Sequence, residues 1–211
     1  MILHAEPKTR AVFAAIVHQA NIRWAVETGT FDGDGAIELR KLIPHVYTIE
    51  NRTDFASKCR DKLNRHGITQ FLGSSPDVLR EELPILIQAH KERPPLFFLD
   101  AHWQDFWPLR DELIVINDYR EAGLKCVTIV YEMSVPRAPQ FAGCTGGGGT
   151  PGDPIYGPKT ADDPTPCDYA TFAKELNAYS HFYWPNWSEG GTGFGVASDF
   201  PLELPEMRTM R

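Results

Sequence analysis

A chain of 211 residues, 42% hydrophobic and 23% charged, carries enough apolar material for one full core, which suits a single domain over residues 1–211 better than two small ones. Its formal net charge of -7 and pI near 5.5 exclude a surface built for nucleic-acid phosphates, which needs clustered Lys and Arg, and point instead to a small-molecule acceptor. No run of about 18 apolar residues offers a membrane span and the first residues lack a secretory pattern, so the expectation is a cytoplasmic protein with no membrane partner, as monomer or homo-oligomer.

The elements alternate along the chain. A helix is predicted over Pro7 to Ala20, opening on a proline suited to a first turn. Arg23 to Glu27 reads as a buried strand running into a glycine-rich turn, followed by a helix at Ala36 to Leu42 and a strand at His45 to Glu50. Thr53, read as an N-cap, opens a helix to Arg65 that Gly67 stops. A short strand at Ile68 to Leu72, a helix at Pro76 to His90 and an apolar strand at Pro95 to Asp100 come next. A helix at Leu109 to Glu121 and a β-branched strand at Cys126 to Tyr131 complete the regular part. Gly and Pro dominate Ser134 to Pro166, which reads as a loop insertion: a lid over an acceptor site, or a linker without a role. A helix at Tyr169 to Tyr179 and two strands, His181 to Trp184 and Gly193 to Ser198, end the pattern. Such alternation predicts a parallel sheet with helices on both faces. The cysteines at 59, 126, 144 and 167 have no C-x-x-C spacing and read as reduced bystanders.

The chemistry gathers at strand ends. Glu27-Thr28-Gly29-Thr30-Phe31-Asp32-Gly33 sits where the first strand hands over to its helix, and glycines there let the backbone approach a nucleotide-like ligand. The spacing is E-x-G-x-x-x-G rather than the dinucleotide G-x-G-x-x-G, so a nicotinamide oxidoreductase is disfavoured. Glu50 ends the second strand about twenty residues on, where a carboxylate can accept from two ribose hydroxyls. Asp100 and His102 stand at the carboxyl end of a central strand, with His102 the candidate base for an acceptor hydroxyl and an orienting or packing histidine as its alternative. The aromatics Phe182, Tyr183, Trp184 and Trp187 suit a core, although Tyr183 and Trp187 could shape an apolar acceptor site.

From Trp24 to Ser198 the chain resembles the class I S-adenosylmethionine-dependent methyltransferases. Glu27, Gly29 and Gly33 look like that family's first motif, Glu50 like its ribose acid, and Phe97-Phe98-Leu99-Asp100-Ala101-His102-Trp103 like the fourth-strand motif of a subgroup. The resemblance implies a Rossmann-like, doubly wound sheet of seven strands, mostly parallel with the last one antiparallel. It implies a methyltransferase, acting on oxygen of a small or sugar-like acceptor, with a non-catalytic cofactor-binding or partner-binding module as the alternative. S-adenosylmethionine would then lie against Glu27, Thr28, Gly29, Thr30, Phe31, Gly33, Glu50, Asn51, Gly73, Ser74, Ser75, Asp100 and Ala101. Where the family often carries an acid beside the adenine, Gly73-Ser74-Ser75 offers hydroxyls; Ser74 suits the adenine edge, and Ser75 suits the cap of the helix from Pro76. Metal-assisted relatives carry acids after the fourth and fifth strands, so Asp100 and Glu132 are the candidate ligands for Mg²⁺ or Ca²⁺, with a surface ion pair the alternative for Glu132.

Overall fold

The computed structural model describes residues 7–91, 93–101, 108–131, 133, 169–185 and 193–210. His102, Trp103, Glu132, the insertion at 134–166, Cys144, Cys167 and Trp187 lie outside the described residues.

In chain order the elements are α1 (Pro7–Gln19), β1 (Trp24–Thr28), α2 (Asp34–Leu42), β2 (His45–Glu50), α3 (Thr53–Arg65), β3 (Thr69–Leu72), α4 (Ser75–Ala89), β4 (Pro95–Leu99), α5 (Leu109–Glu121), β5 (Val127–Tyr131), α6 (Ala173–Leu176), β6 (His181–Pro185), β7 (Phe194–Ser198) and β8 (Met207–Met210). They form one sheet in the order β3-β2-β1-β4-β5-β7-β6-β8. Strands β1 to β5 pair in parallel, β7 runs antiparallel to β5 and β6, and β8 runs antiparallel to β6. The doubly wound sheet is thus the expected one, with eight strands among the described residues instead of seven. The sequence pattern hides β8 because it is four residues long and mixes Met with Arg and Thr, so its strand character comes from pairing with β6.

Every residue of β1, β4 and β5 is buried, as strands covered on both faces must be. Alternation along the strand divides the core in two. Leu96 and Phe98 pack with Phe13 and Ile16 of α1, Leu39 of α2 and Leu63 of α3. Phe97 and Leu99 face the other way, with Leu79 and Leu83 of α4, Leu113 and Ile116 of α5 and Leu176 of α6. Helix α3 shows how the sequence chooses its face: Ala56, Cys59 and Leu63, spaced at helical intervals, are its buried residues. In α4, Pro84 has no N–H for the Arg80 carbonyl one turn back, and the Tyr119 hydroxyl of α5 donates to that carbonyl at 3.2 Å.

Most boundaries moved by one or two residues, and three of the shifts change a residue's role. Arg52, not Thr53, occupies the cap position of α3. Ser74, not Ser75, occupies that of α4. The helix predicted over 169–179 is regular only at Ala173–Leu176. Tyr183 belongs to the core on the α1 side, its hydroxyl accepting from the Leu202 N–H at 2.8 Å, whereas its neighbours Phe182 and Trp184 enter the opposite core. Cys59 and Cys126 are buried free thiols.

At the amino end of β5 a polar cluster fastens the antiparallel strands to the helices. The Arg120 guanidinium donates to both oxygens of Asp199, with Nε at 2.9 Å from Oδ2, and the two side chains are 8% and 3% exposed. Asp199 also accepts the Cys126 N–H at 3.1 Å, and the guanidinium lies 3.6 Å over the Tyr179 ring, whose hydroxyl meets Thr128 at 2.6 Å. Removing one partner of such a pair strands the other charge. Asp199→Ala is therefore expected to lower unfolding free energy by about 3 to 5 kcal/mol, read from urea denaturation; a loss under about 1 kcal/mol, the range of an exposed pair, would show that the buried pair does not hold this corner.

Candidate functional site

The strand order reverses between β1 and β4, and the carboxyl ends of the two strands open a crevice there, the place where open α/β sheets bind ligands. Backbone hydrogen bonds bring the neighbouring turns into register. The Gly29 N–H donates to the Ile49 carbonyl at 2.9 Å, the Asp100 N–H to the Thr28 carbonyl at 3.2 Å, and the Gly73 N–H to the Glu50 carbonyl at 2.9 Å. Residues from the ends of β1, β2, β3 and β4 are thereby gathered on one edge.

Gly29 has φ of +85°, and a Cβ placed on it would stand 2.5 Å from the Asp100 carbonyl oxygen and 3.0 Å from Ala101 Cα. The glycine is required first by the chain's own backbone, where the sequence had suggested close approach of a ligand. At Gly33, φ +80°, an added Cβ would press on Leu63 of α3 at 3.0 Å, so this glycine seats α2 against α3. Phe31 between them also has a positive φ, 49°. Its N–H is held by Glu50.

Glu50 is 7% exposed and both of its oxygens are engaged: Oε2 accepts the Phe31 N–H at 2.8 Å and Oε1 the Arg52 N–H at 2.9 Å. The carboxylate thus joins the end of β2 to the loop after β1. Each oxygen keeps a further lone pair. Phe31, 37% exposed, packs against Phe55 with ring centroids 4.9 Å apart, and the Arg52 guanidinium caps Phe55 at 4.3 Å while pairing with Asp54.

Below the loop runs a chain of buried hydroxyls. Thr48 sits opposite Glu27 in the β1/β2 register and donates to it at 2.7 Å; its oxygen is 2.7 Å from that of Thr30, so Thr30 is the donor in that second bond. Burial raises the Glu27 carboxyl well above the ordinary carboxylate range; the Thr48 hydrogen bond opposes this, and Asp100, Asp32 and Glu50 add to it by repulsion.

Among the residues predicted for the cofactor, Glu27, Thr28, Gly29, Thr30, Phe31, Gly33, Glu50, Asn51, Gly73, Ser74, Asp100 and Ala101 all fall on this edge. Thr28, Thr30 and Ala101 are buried, Asp100 is half-buried and Asn51 exposed. Ser74 is half-buried and makes no side-chain cap bond. Ser75 departs from its predicted role: it is the first residue of α4, and its buried hydroxyl donates to the buried Glu112 of α5. Its helix phase is set one residue earlier than expected. Of the candidate metal pair, Glu132 lies outside the described residues; among the described residues no group of three or more His, Cys, Asp or Glu could hold a metal ion. Thr48 and Phe55 were not singled out in the sequence, and Asp32 stood there only as part of the loop motif. The signal for Thr48 is a polar β-branched residue inside the run Val46 to Ile49.

No family model and no curated protein matches the chain. Solved structures do. The O-methyltransferase TomG of Streptomyces achromogenes, involved in tomaymycin synthesis and solved in complex with SAM, is 18% identical and superposes with a TM-score of 0.56 over 92% of this chain and 81% of its own. An O-methyltransferase of Bacillus cereus, in complex with SAH, is 17% identical with a TM-score of 0.55, over 92% of this chain and 83% of its own. The fold is the one these O-methyltransferases share. Among the described residues no helix is long and apolar enough to cross a membrane.

Gly29→Ala is expected to cost stability as well as ligand affinity, because both its φ and the Asp100 carbonyl refuse a Cβ. Thermal melting of the ligand-free protein checks this: an unchanged melting temperature would return Gly29 to a purely ligand-facing role.

Proposed function

We propose that the chain is an enzyme that transfers the methyl group of S-adenosylmethionine to an oxygen of a small or sugar-like acceptor, as one domain, in the cytoplasm and without nucleic acid. Glu50 carries this reading. It is a buried carboxylate at the end of β2, fixed by two backbone N–H groups and keeping acceptor capacity on both oxygens, the chemistry that two adjacent ribose hydroxyls require. The fold supports it, since the two solved neighbours are described with SAM and SAH. The charge supports it too, because Asp32, Glu50 and Asp100 all act on Glu27 at one edge, an acidic setting that favours a cationic ligand.

The cofactor supplies an electrophilic methyl carbon on a sulfonium. This chain's residues bind and orient. Glu50 holds the ribose, Ser74 offers a hydroxyl to the adenine edge, and Thr28, Gly29, Gly73 and Ala101 present backbone at the crevice. Asp100 faces the methionyl amine as a carboxylate partner. His102, two residues further on, takes the proton of the acceptor hydroxyl; that is the role a histidine performs near neutral pH.

Glu50→Ala is expected to weaken binding of the demethylated cofactor by about 1.5 to 3 kcal/mol, the range for hydrogen bonds to a charged group, measured by calorimetry. Equal affinity would remove Glu50 from the site, and failure of the wild-type chain to bind either cofactor form would overturn the function. His102→Ala should lower methyl transfer from labelled S-adenosylmethionine into a metabolite pool by roughly 10² to 10⁴ with cofactor affinity nearly unchanged. A parallel fall in cofactor affinity would instead make His102 a positioning residue.

A further inference from the structure

At the amino edge of the sheet, away from the crevice, a cluster of rings forms around two histidines. Trp24 and His45 are register partners at the starts of β1 and β2, and Tyr47, two residues further along β2, shares their face. His90, the residue that ends α4, comes down on that face. It stacks on the Trp24 indole with ring centroids 5.1 Å apart and planes at 16°, and its Nε2 lies 2.8 Å from the Tyr47 hydroxyl. The His45 ring stands 4.9 Å from the His90 ring, tilted by 45°. Trp24 is buried, His90 half-buried and His45 exposed. Arg23 and Arg93 meet the cluster through their backbone, their carbonyls accepting the His45 N–H at 3.3 Å and the Trp24 indole N–H at 2.8 Å.

We propose that His45 and His90 together bind a divalent transition-metal ion of the nitrogen-preferring class, Zn²⁺, Ni²⁺ or Cu²⁺, where the start of β2 meets the end of α4. The site is independent of the cofactor reading above. Two imidazoles bound to one ion through nitrogens at about 2.0–2.1 Å hold their ring centres about 5 Å apart, which is the separation of His45 and His90. Imidazole suits these ions, whereas Mg²⁺ and Ca²⁺ take oxygen ligands. Two protein ligands make a partial shell, and the remaining positions go to water on the side where His45 is exposed.

The surroundings prepare His90 for this role. A ligating histidine is oriented by the partner of its second ring nitrogen. Here the Tyr47 hydroxyl accepts the Nε2 hydrogen, Nδ1 keeps its lone pair for the ion, and the stack on Trp24 fixes the ring plane. Burial and the neighbouring His45 hold His90 below the ordinary imidazole range, which favours the neutral, ligating form. Helix α4 has no basic residue in its last turn, so the negative end of its dipole favours a cation at this position. Because a protonated ring has no lone pair to offer, binding releases protons and weakens as pH falls through about 6.5.

The test is calorimetry with Ni²⁺ on the full, untagged chain at about pH 7.5, one unit above the ordinary imidazole value, with Mg²⁺ as the control and indole fluorescence followed in a parallel titration. Saturable Ni²⁺ binding that quenches the emission and raises the melting temperature, with no response to Mg²⁺, is the expected result. His45→Ala replaces an exposed side chain and is expected to abolish binding and quenching. His90→Phe serves as a second variant: it keeps a ring against Trp24, supplies no nitrogen, and should lose the ion as well. Tyr47→Phe retains both ligands and should weaken binding by about 10- to 100-fold, as loss of an orienting partner does. Affinity unchanged in His45→Ala or in His90→Phe would show that other residues hold the ion and overturns the proposal. So does the absence of saturable Ni²⁺ binding by the wild-type chain below about 1 mM.

Discussion

The approach of the β1 turn to the end of β4 is the constraint on which the site depends. Gly29 gives up its side chain so that its backbone can lie against the Asp100 carbonyl. From that contact follow the position of Asp100, the direction of the loop through Phe31, and the reach of the Phe31 N–H to Glu50. The turn is a piece of packing before it is a piece of recognition. A loop held in this way by its own sheet is pre-organised, so that little ordering remains to be done when a ligand arrives.

The polar groups of this edge are organised in two layers with different tasks. Glu50 occupies the upper layer, where each oxygen is anchored by one N–H and still has acceptor capacity. Glu27 occupies the lower layer, where the row from Thr30 through Thr48 ends on a carboxyl that burial disfavours as an ion. Apolar residues at these strand ends would stabilise the sheet more simply. Buried carboxyls there cost stability, and such costs gather where a ligand of opposite charge offsets them.

How much of this was legible in the sequence depends on where the information lies. Strand β4 was visible as an unbroken apolar run, β1 as an apolar run handing over to a glycine-rich turn, β5 by its β-branched residues, and α3 because its buried positions recur at helical spacing. Strand β8 was not, since it exists through pairing with β6. Gly29 and Glu50 were visible as residues, but the reason for Gly29 was not: a glycine that admits a ligand and one that admits another strand look the same in a single chain. Thr48 lies opposite Glu27 only because of the β1/β2 register, which the α2 crossover sets and no local pattern encodes. Ser74 took the cap position expected of Ser75 because a helix boundary one residue away turns the expected cap into a buried hydrogen-bond donor to Glu112.

The opposite edge of the sheet explains why the crevice can carry this electrostatic burden. At the amino end of β5, Arg120 and Asp199 neutralise one another and tie β7 to α5, with Asn117, the Ala178 carbonyl and the Cys126 N–H taking up remaining hydrogen-bonding capacity and the Tyr179 ring lying under the guanidinium. There each buried charge meets an opposite one within the chain. At the carboxyl edge the charges that act on Glu27 are all of its own sign. The two edges therefore differ among the described residues: at the first a buried ion pair is closed within the chain, and at the second a buried carboxyl is raised by burial and by carboxylates of its own sign.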